Sequence, residues 1–199
     1  MHPRRLLLIG LALLLTLRLA ATSVEPPALD SLLQQSGYVI RAVVKSATPQ
    51  WQETDGQRYI STRVEFELRE VIKGTPPAPL VLEFLGGRIG DEELTVTGMP
   101  ALRVGDEHIL FVHGGQQRLF PLVAMMHGLY PVLRESRTGE DLVLRSNGRP
   151  LYSADEVALP MERASSVPQQ NPSARPLTAK AFIQQLRTRA AALAPTREN

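Results

Sequence analysis

The sequence predicts a mainly antiparallel, all-β domain, either a barrel or a sandwich, followed by a flexible linker and a C-terminal amphipathic helix. Three observations carry this. Short segments rich in Val, Leu and Ile recur between Gly and Pro turns from Tyr38 to Gly148, with no helical stretch between them. Tyr59 to Lys73 alternates, with Thr62, Val64, Phe66 and Leu68 on one face and Arg63, Glu65, Glu67 and Arg69 on the other. Leu177 to Leu193 follows a helical period instead, after a stretch rich in Ser, Gln, Pro and Asn.

The N-terminus is read first because it is expected to be removed. Met1-His2-Pro3-Arg4-Arg5 is basic, Leu6 to Leu17 is an apolar run, Arg18 interrupts it, and Ala20-Ala21-Thr22-Ser23 supplies small residues. A membrane span needs roughly 20 apolar residues, so this pattern describes a secretory signal peptide over residues 1–23 rather than an anchor. Cleavage after Ser23 places Ala21 and Ser23 at the two positions that need small side chains; cleavage after Ala21 is the runner-up. The mature chain is expected to be secreted or periplasmic, with no stable membrane anchor after processing.

Residues 24–154 then form the β domain. Leu29 to Gln35 reads as a short helix and Tyr38 to Lys45 as a first strand; Thr48 to Gln57, with Pro49, Asp55 and Gly56, reads as a loop or hairpin end. In the long strand Tyr59 to Lys73, Glu70 would fall on the apolar face, and a β-bulge there restores the phase. Further strands are expected at Leu80 to Leu85, Glu93 to Thr97, Ile109 to Val112, Leu119 to Met126, Leu129 to Arg134 and Leu142 to Leu144, the last closing a hairpin at Asn147-Gly148. Ile109 to Val112 has no polar alternation and reads as fully buried. Residues 155–176 are the linker and 177–195 the helix. Thr178 is its N-cap, and Leu177 with Phe182 sits at the positions of a hydrophobic staple. A lone helix of this length is marginal in water, so the stripe of Phe182, Ile183 and Leu186 needs a docking surface. That surface is expected to be this chain's own β domain, with a partner as the alternative.

The 199 residues include no cysteine, which excludes disulfides, thiolate catalysis and cysteine-ligated zinc. Residues 1–23 carry three arginines and no acid, so the mature chain has nineteen basic against twenty acidic residues, a formal charge of −1. A nucleic-acid partner requires a basic surface, so none is expected; the partner is expected to be a protein, with oligomeric state left open. No HExxH, nucleophile elbow or phosphate loop occurs, and His108 and His113, five apart along a strand, should face opposite ways. No catalytic residue, metal ligand or cofactor is therefore assigned. The candidate binding residues are Trp51, an aromatic in a polar loop, and the cluster Met125, Met126, His127 and Tyr130, where adjacent thioethers offer adaptable contacts.

Tyr38-Val-Ile-Arg-Ala-Val-Val44, Thr62 to Gly74, Pro100 to Val112 and Gly128-Leu-Tyr-Pro-Val132 together resemble a recurrent exported bacterial domain of unassigned activity. Its fold looks similar to the OB-like barrel of tissue inhibitors of metalloproteinases and netrin-like modules. The resemblance covers about residues 35–135 and the terminal helix, and it implies an OB-like barrel. Those inhibitors chelate a catalytic zinc through an N-terminal cysteine, which this chain lacks. The expected function is an exported, non-catalytic binding or accessory module; the alternative is an inhibitor or regulatory domain of an extracytoplasmic protease.

Overall fold

The computed structural model describes residues 26–115, 119–161 and 174–194. The expected signal peptide and most of the expected linker lie outside them. Helix α1 (Leu29–Gln35) leads into β1 (Tyr38–Thr54) and β2 (Gln57–Lys73). Then follow β3 (Val81–Leu85), β4 (Gly87–Ile89), β5 (Glu92–Leu94), β6 (Glu107–Val112), a 3-10 turn (Met125–Gly128), β7 (Leu129–Arg134), β8 (Asp141–Val143), a second 3-10 turn (Ala154–Ala158) and helix α2 (Ala179–Ala192).

Six strands form one sheet in the order β3-β2-β1-β6-β7-β8, every adjacent pair antiparallel, and β4 pairs with β5 separately. The mainly antiparallel class and the C-terminal helix are thus as expected. Among the described residues the sheet is open: no ladder joins β3 to β8.

Alternation divides the core between the two faces. Val39, Ile109, Phe111, Tyr130 and Val143 face α1 and α2; Ile40, Ala42, Val44, Leu110 and Val112 face Val64, Phe66, Leu82 and Phe84. Strand β6 therefore buries both its faces, which is why its sequence shows no polar alternation. The expected bulge is present: Val39 pairs with Lys73 and Ile40 with Val71, leaving Ile72 extra. Two more shifts, at Arg69 and Lys45, bend the β1–β2 ribbon further. Leu68 departs from its expected place. It lies beyond the last residue of β2 that β3 covers, and is 41% exposed.

Four other expectations are corrected. Thr48 to Thr54 is strand, and only Asp55-Gly56, both left-handed, makes the turn; two long paired strands override a single Pro on an edge. Leu119 to Met126 forms no strand, only a bridge from Leu122 to Val112, before the chain tightens into the 3-10 turn. The fifth strand is Glu92–Leu94 rather than Glu93 to Thr97. The linker does not begin at 155, because Ala154 and Val157 of the second 3-10 turn insert into the helix-side core.

Helix α2 docks on this chain's own sheet. Thr178 accepts a hydrogen bond from the Ala181 N–H at 3.2 Å, the expected N-cap. Just before it, Leu177 bonds to Leu151 and Val143 through the backbone, so the helix entry is tied to β8. Phe182, Ile183 and Leu186 are buried against Tyr130 and the residues around it. At the other end, Arg187 pairs with Glu70, and Arg189 pairs with both Asp30 and Asp155.

Candidate functional site

The predicted cluster Met125, Met126, His127 and Tyr130 is divided by the fold. Tyr130 is fully buried in the helix-side core, its ring 5.7 Å from Phe111 and 5.4 Å from Phe182. His127 is buried too, close enough to the buried Arg145 to feel its charge. Met126 instead lines an open cleft of about 620 Å³, and Met125 reaches towards Gly98: a methyl group placed on that glycine would lie 3.8 Å from the Met125 sulfur. Trp51 is elsewhere, in strand β1 on the hairpin ribbon, with the Arg58 guanidinium 3.7 Å over its ring.

The turn that presents the two methionines is unusual. Ala124 and Met125 both adopt left-handed backbone, at φ 51° and 55°, without being glycine. Such residues cost about 1–3 kcal/mol each and persist only where their surroundings impose them. Gly128 supplies part of that constraint, because a Cβ there would sit 2.3 Å from the Val123 carbonyl. Ser146 supplies the rest: its hydroxyl lies within bonding distance of the Met126 carbonyl and 2.6 Å from that of Leu129.

The floor of the cleft is His108. Pairing of β6 with β1 and β7 sets His108 beside Ala42 and Pro131, on the same face as Leu110 and Val112. It is 3% exposed, and neither ring nitrogen has a hydrogen-bond partner among the described residues. Burial pushes its pKa below the ordinary histidine value, only partly opposed by Asp106 and Glu107, so the imidazole is neutral. Met99 and Pro100, from the loop before β6, form the facing wall. That loop is held by Val44, whose N–H and C=O bond to Asp106 and Gly105. The site thus combines a buried neutral imidazole, both nitrogens shielded from solvent, with the thioethers of Met99 and Met126 in the lining of one cleft.

A second polar cluster lies under the same turn. His127 Nδ1, the Tyr130 hydroxyl and Arg145 Nε are buried without partners among the described residues. Burial pulls His127 and Arg145 down from their ordinary values and pushes the Tyr130 phenol well up. A groove of about 1060 Å³ along the β3 edge is larger than the His108 cleft. Three of its polar residues are tied together, however: Gln50 and Gln52 both donate to Glu83, at 3.4 and 2.9 Å. Among the described residues no group of three or more His, Asp or Glu side chains is placed to hold a metal ion, and no helix is long and apolar enough to cross a membrane.

Neither His108 nor Met99 was singled out by sequence reasoning as a site residue. The signal for His108 was present, since His-Ile-Leu-Phe-Val is a run that buries both faces and must take its histidine with it. Met99 had none, because loop residues carry no period. No protein-family model matches the chain, and no curated protein matches it.

Proposed function

We propose that this chain is an exported, non-catalytic binding module with an OB-like barrel, and that its ligand site is the cleft floored by His108. One observation carries the reading: a cleft of about 620 Å³ is lined by Met99, Met126 and the buried His108, whose imidazole has no partner among the described residues. A general base needs a partner to orient it and a nucleophile within reach, and His108 bonds to neither among the described residues. A binding cleft needs only an adaptable, largely apolar wall with a few polar groups at its rim. The OB-like reading is supported by the segment after β6. The Leu119 carbonyl accepts the Leu85 N–H from the β3 end while Leu122 bridges to Val112 of β6, so this segment spans towards closing the sheet.

The purified mature chain should turn over none of a panel of ester, peptide and glycoside substrates. A ligand retained from extracytoplasmic extract by the immobilised wild-type chain should be lost by Met126→Glu, with folding checked by melting. Turnover abolished by one carboxylate substitution, or capture that Met126→Glu leaves intact, would overturn the proposal.

A further inference from the structure

The chain treats the two edges of its sheet differently. At β8 the edge is covered: Leu142 bridges to Thr178, and the Val143 N–H bonds to the Leu177 carbonyl. At β3 the ladder to β2 decides which backbone groups are left over. Phe66 donates to the Leu80 carbonyl and Gly86 to that of Ile60, so Leu80, Leu82, Phe84 and Gly86 turn their N–H and C=O groups towards β2. Val81, Glu83 and Leu85 turn theirs outward. Leu85 bears this out, since its N–H is bonded to the Leu119 carbonyl at 3.0 Å. The outward groups of Val81 and Glu83 have no backbone partner among the described residues. They recur about every 6.7 Å, the repeat of alternate residues along a strand, and another extended backbone matches that spacing with donors and acceptors of its own.

Edges are ordinarily blunted by Lys, Pro or a bulge, because a bare one recruits strands indiscriminately. Val81-Leu-Glu-Phe-Leu85 has none of these. Its edge instead borders the groove of about 1060 Å³, which Pro76, Gly114 and Pro121 also line. Those walls favour a single inserted segment over the edge of a second folded sheet. Charge selects the segment. Arg63 lines the groove, is exposed and forms no ion pair among the described residues. The carboxylates beside it are engaged: Glu83 accepts from Ser61, Gln50 and Gln52, and Glu65 is paired with Lys45 at 2.8 Å. We propose that this groove is a second binding site, taking an extended peptide with an acidic side chain, which adds as a strand to β3 and sets its carboxylate towards Arg63.

The test uses the mature chain and a displayed library of random short peptides, with the enriched peptides synthesised and their binding read by fluorescence anisotropy. In the free chain the Val81 and Glu83 amides should exchange with solvent at least tenfold faster than those of Leu82 and Phe84, and bound peptide should slow them. Enriched peptides should carry Asp or Glu, and methylating their alternate backbone nitrogens should weaken binding at least tenfold. Arg63→Gln should weaken it several-fold at low salt, while Arg137→Gln, an exposed cation outside the groove, should not. Val81→Pro removes an outward N–H and no bond to β2, so it should keep the melting midpoint and lose at least tenfold in affinity. Slow exchange at Val81 and Glu83 in the free chain would show that the chain covers its own edge, and overturns the proposal. So does a selection that enriches nothing, or enriched peptides that leave those two amides unchanged. Peptides bound equally by Arg63→Gln overturn the acidic preference. The His108 cleft shares no lining residue with this groove, so either reading can fail without the other.

Discussion

Phe182→Ala should be among the most damaging single truncations in this domain. The ring is fully buried between α2 and the sheet, 5.4 Å from Tyr130, which in turn packs at 64° on Phe111. Removing a core Phe costs about 3–5 kcal/mol, because the lost transfer free energy is joined by the cavity left behind. Collapse cannot relieve that cavity here. Tyr130 pairs with Ile109 of β6 and Phe111 with Val39 of β1, and the helix is tied at Leu177 and through Arg187 and Arg189. A loss of about 4 kcal/mol follows, or about 8–16 °C in the melting midpoint for a domain of this size. Urea unfolding followed by circular dichroism reads it directly, with exposed Gln185→Ala as a control expected within about 0.5 kcal/mol. A loss below about 1 kcal/mol with an unchanged monomer would refute the docking of α2 on its own sheet.

Other expectations concern the buried polar groups and the backbone. Tyr130→Phe removes a hydroxyl without a partner among the described residues, so stability should be unchanged or rise by about 1 kcal/mol; a clear fall in the urea midpoint would mean the hydroxyl is bonded. Burial holds the pKa values of His108 and His127 below the ordinary histidine value, so both fold neutral and, between folded and ordinary values, the unfolded chain binds the extra protons. Stability should therefore be complete above about pH 6.5 and decline below it. His108→Leu should flatten that decline, and equal urea midpoints at pH 7.5 and 5.5 in the wild type would contradict the assignment. Gly37→Ala places a Cβ 2.2 Å from the Gly114 Cα, backbone against backbone, and should cost at least about 2 kcal/mol in the same assay.

Much of the fold was legible without coordinates. The alternation in Tyr59 to Lys73, the bulge near Ile72, the unbroken run in β6 and the Thr178 cap each arise within a few neighbouring residues, where sterics and backbone bonding act directly. The apolar stripe on α2 likewise announced that it had to be covered.

What covered it, and what else was buried, depended on residues far along the chain. Met125, Met126, His127 and Tyr130 are close in sequence, yet the left-handed pair at Ala124–Met125 sends them to different sides of the sheet. Trp51 looked like a loop residue because Pro49 and the Asp55-Gly56 turn surround it, but fifteen paired positions between β1 and β2 keep it in a strand. His108 and Met126 line one cleft only because β6 pairs with β7 and the turn that leads into β7 lies beside that pairing. Periodicity reports which face of an element is apolar. It carries no information about which distant element will lie on that face, so the sequence alone determined the elements and their sidedness, and tertiary packing decided which side chains share a cleft.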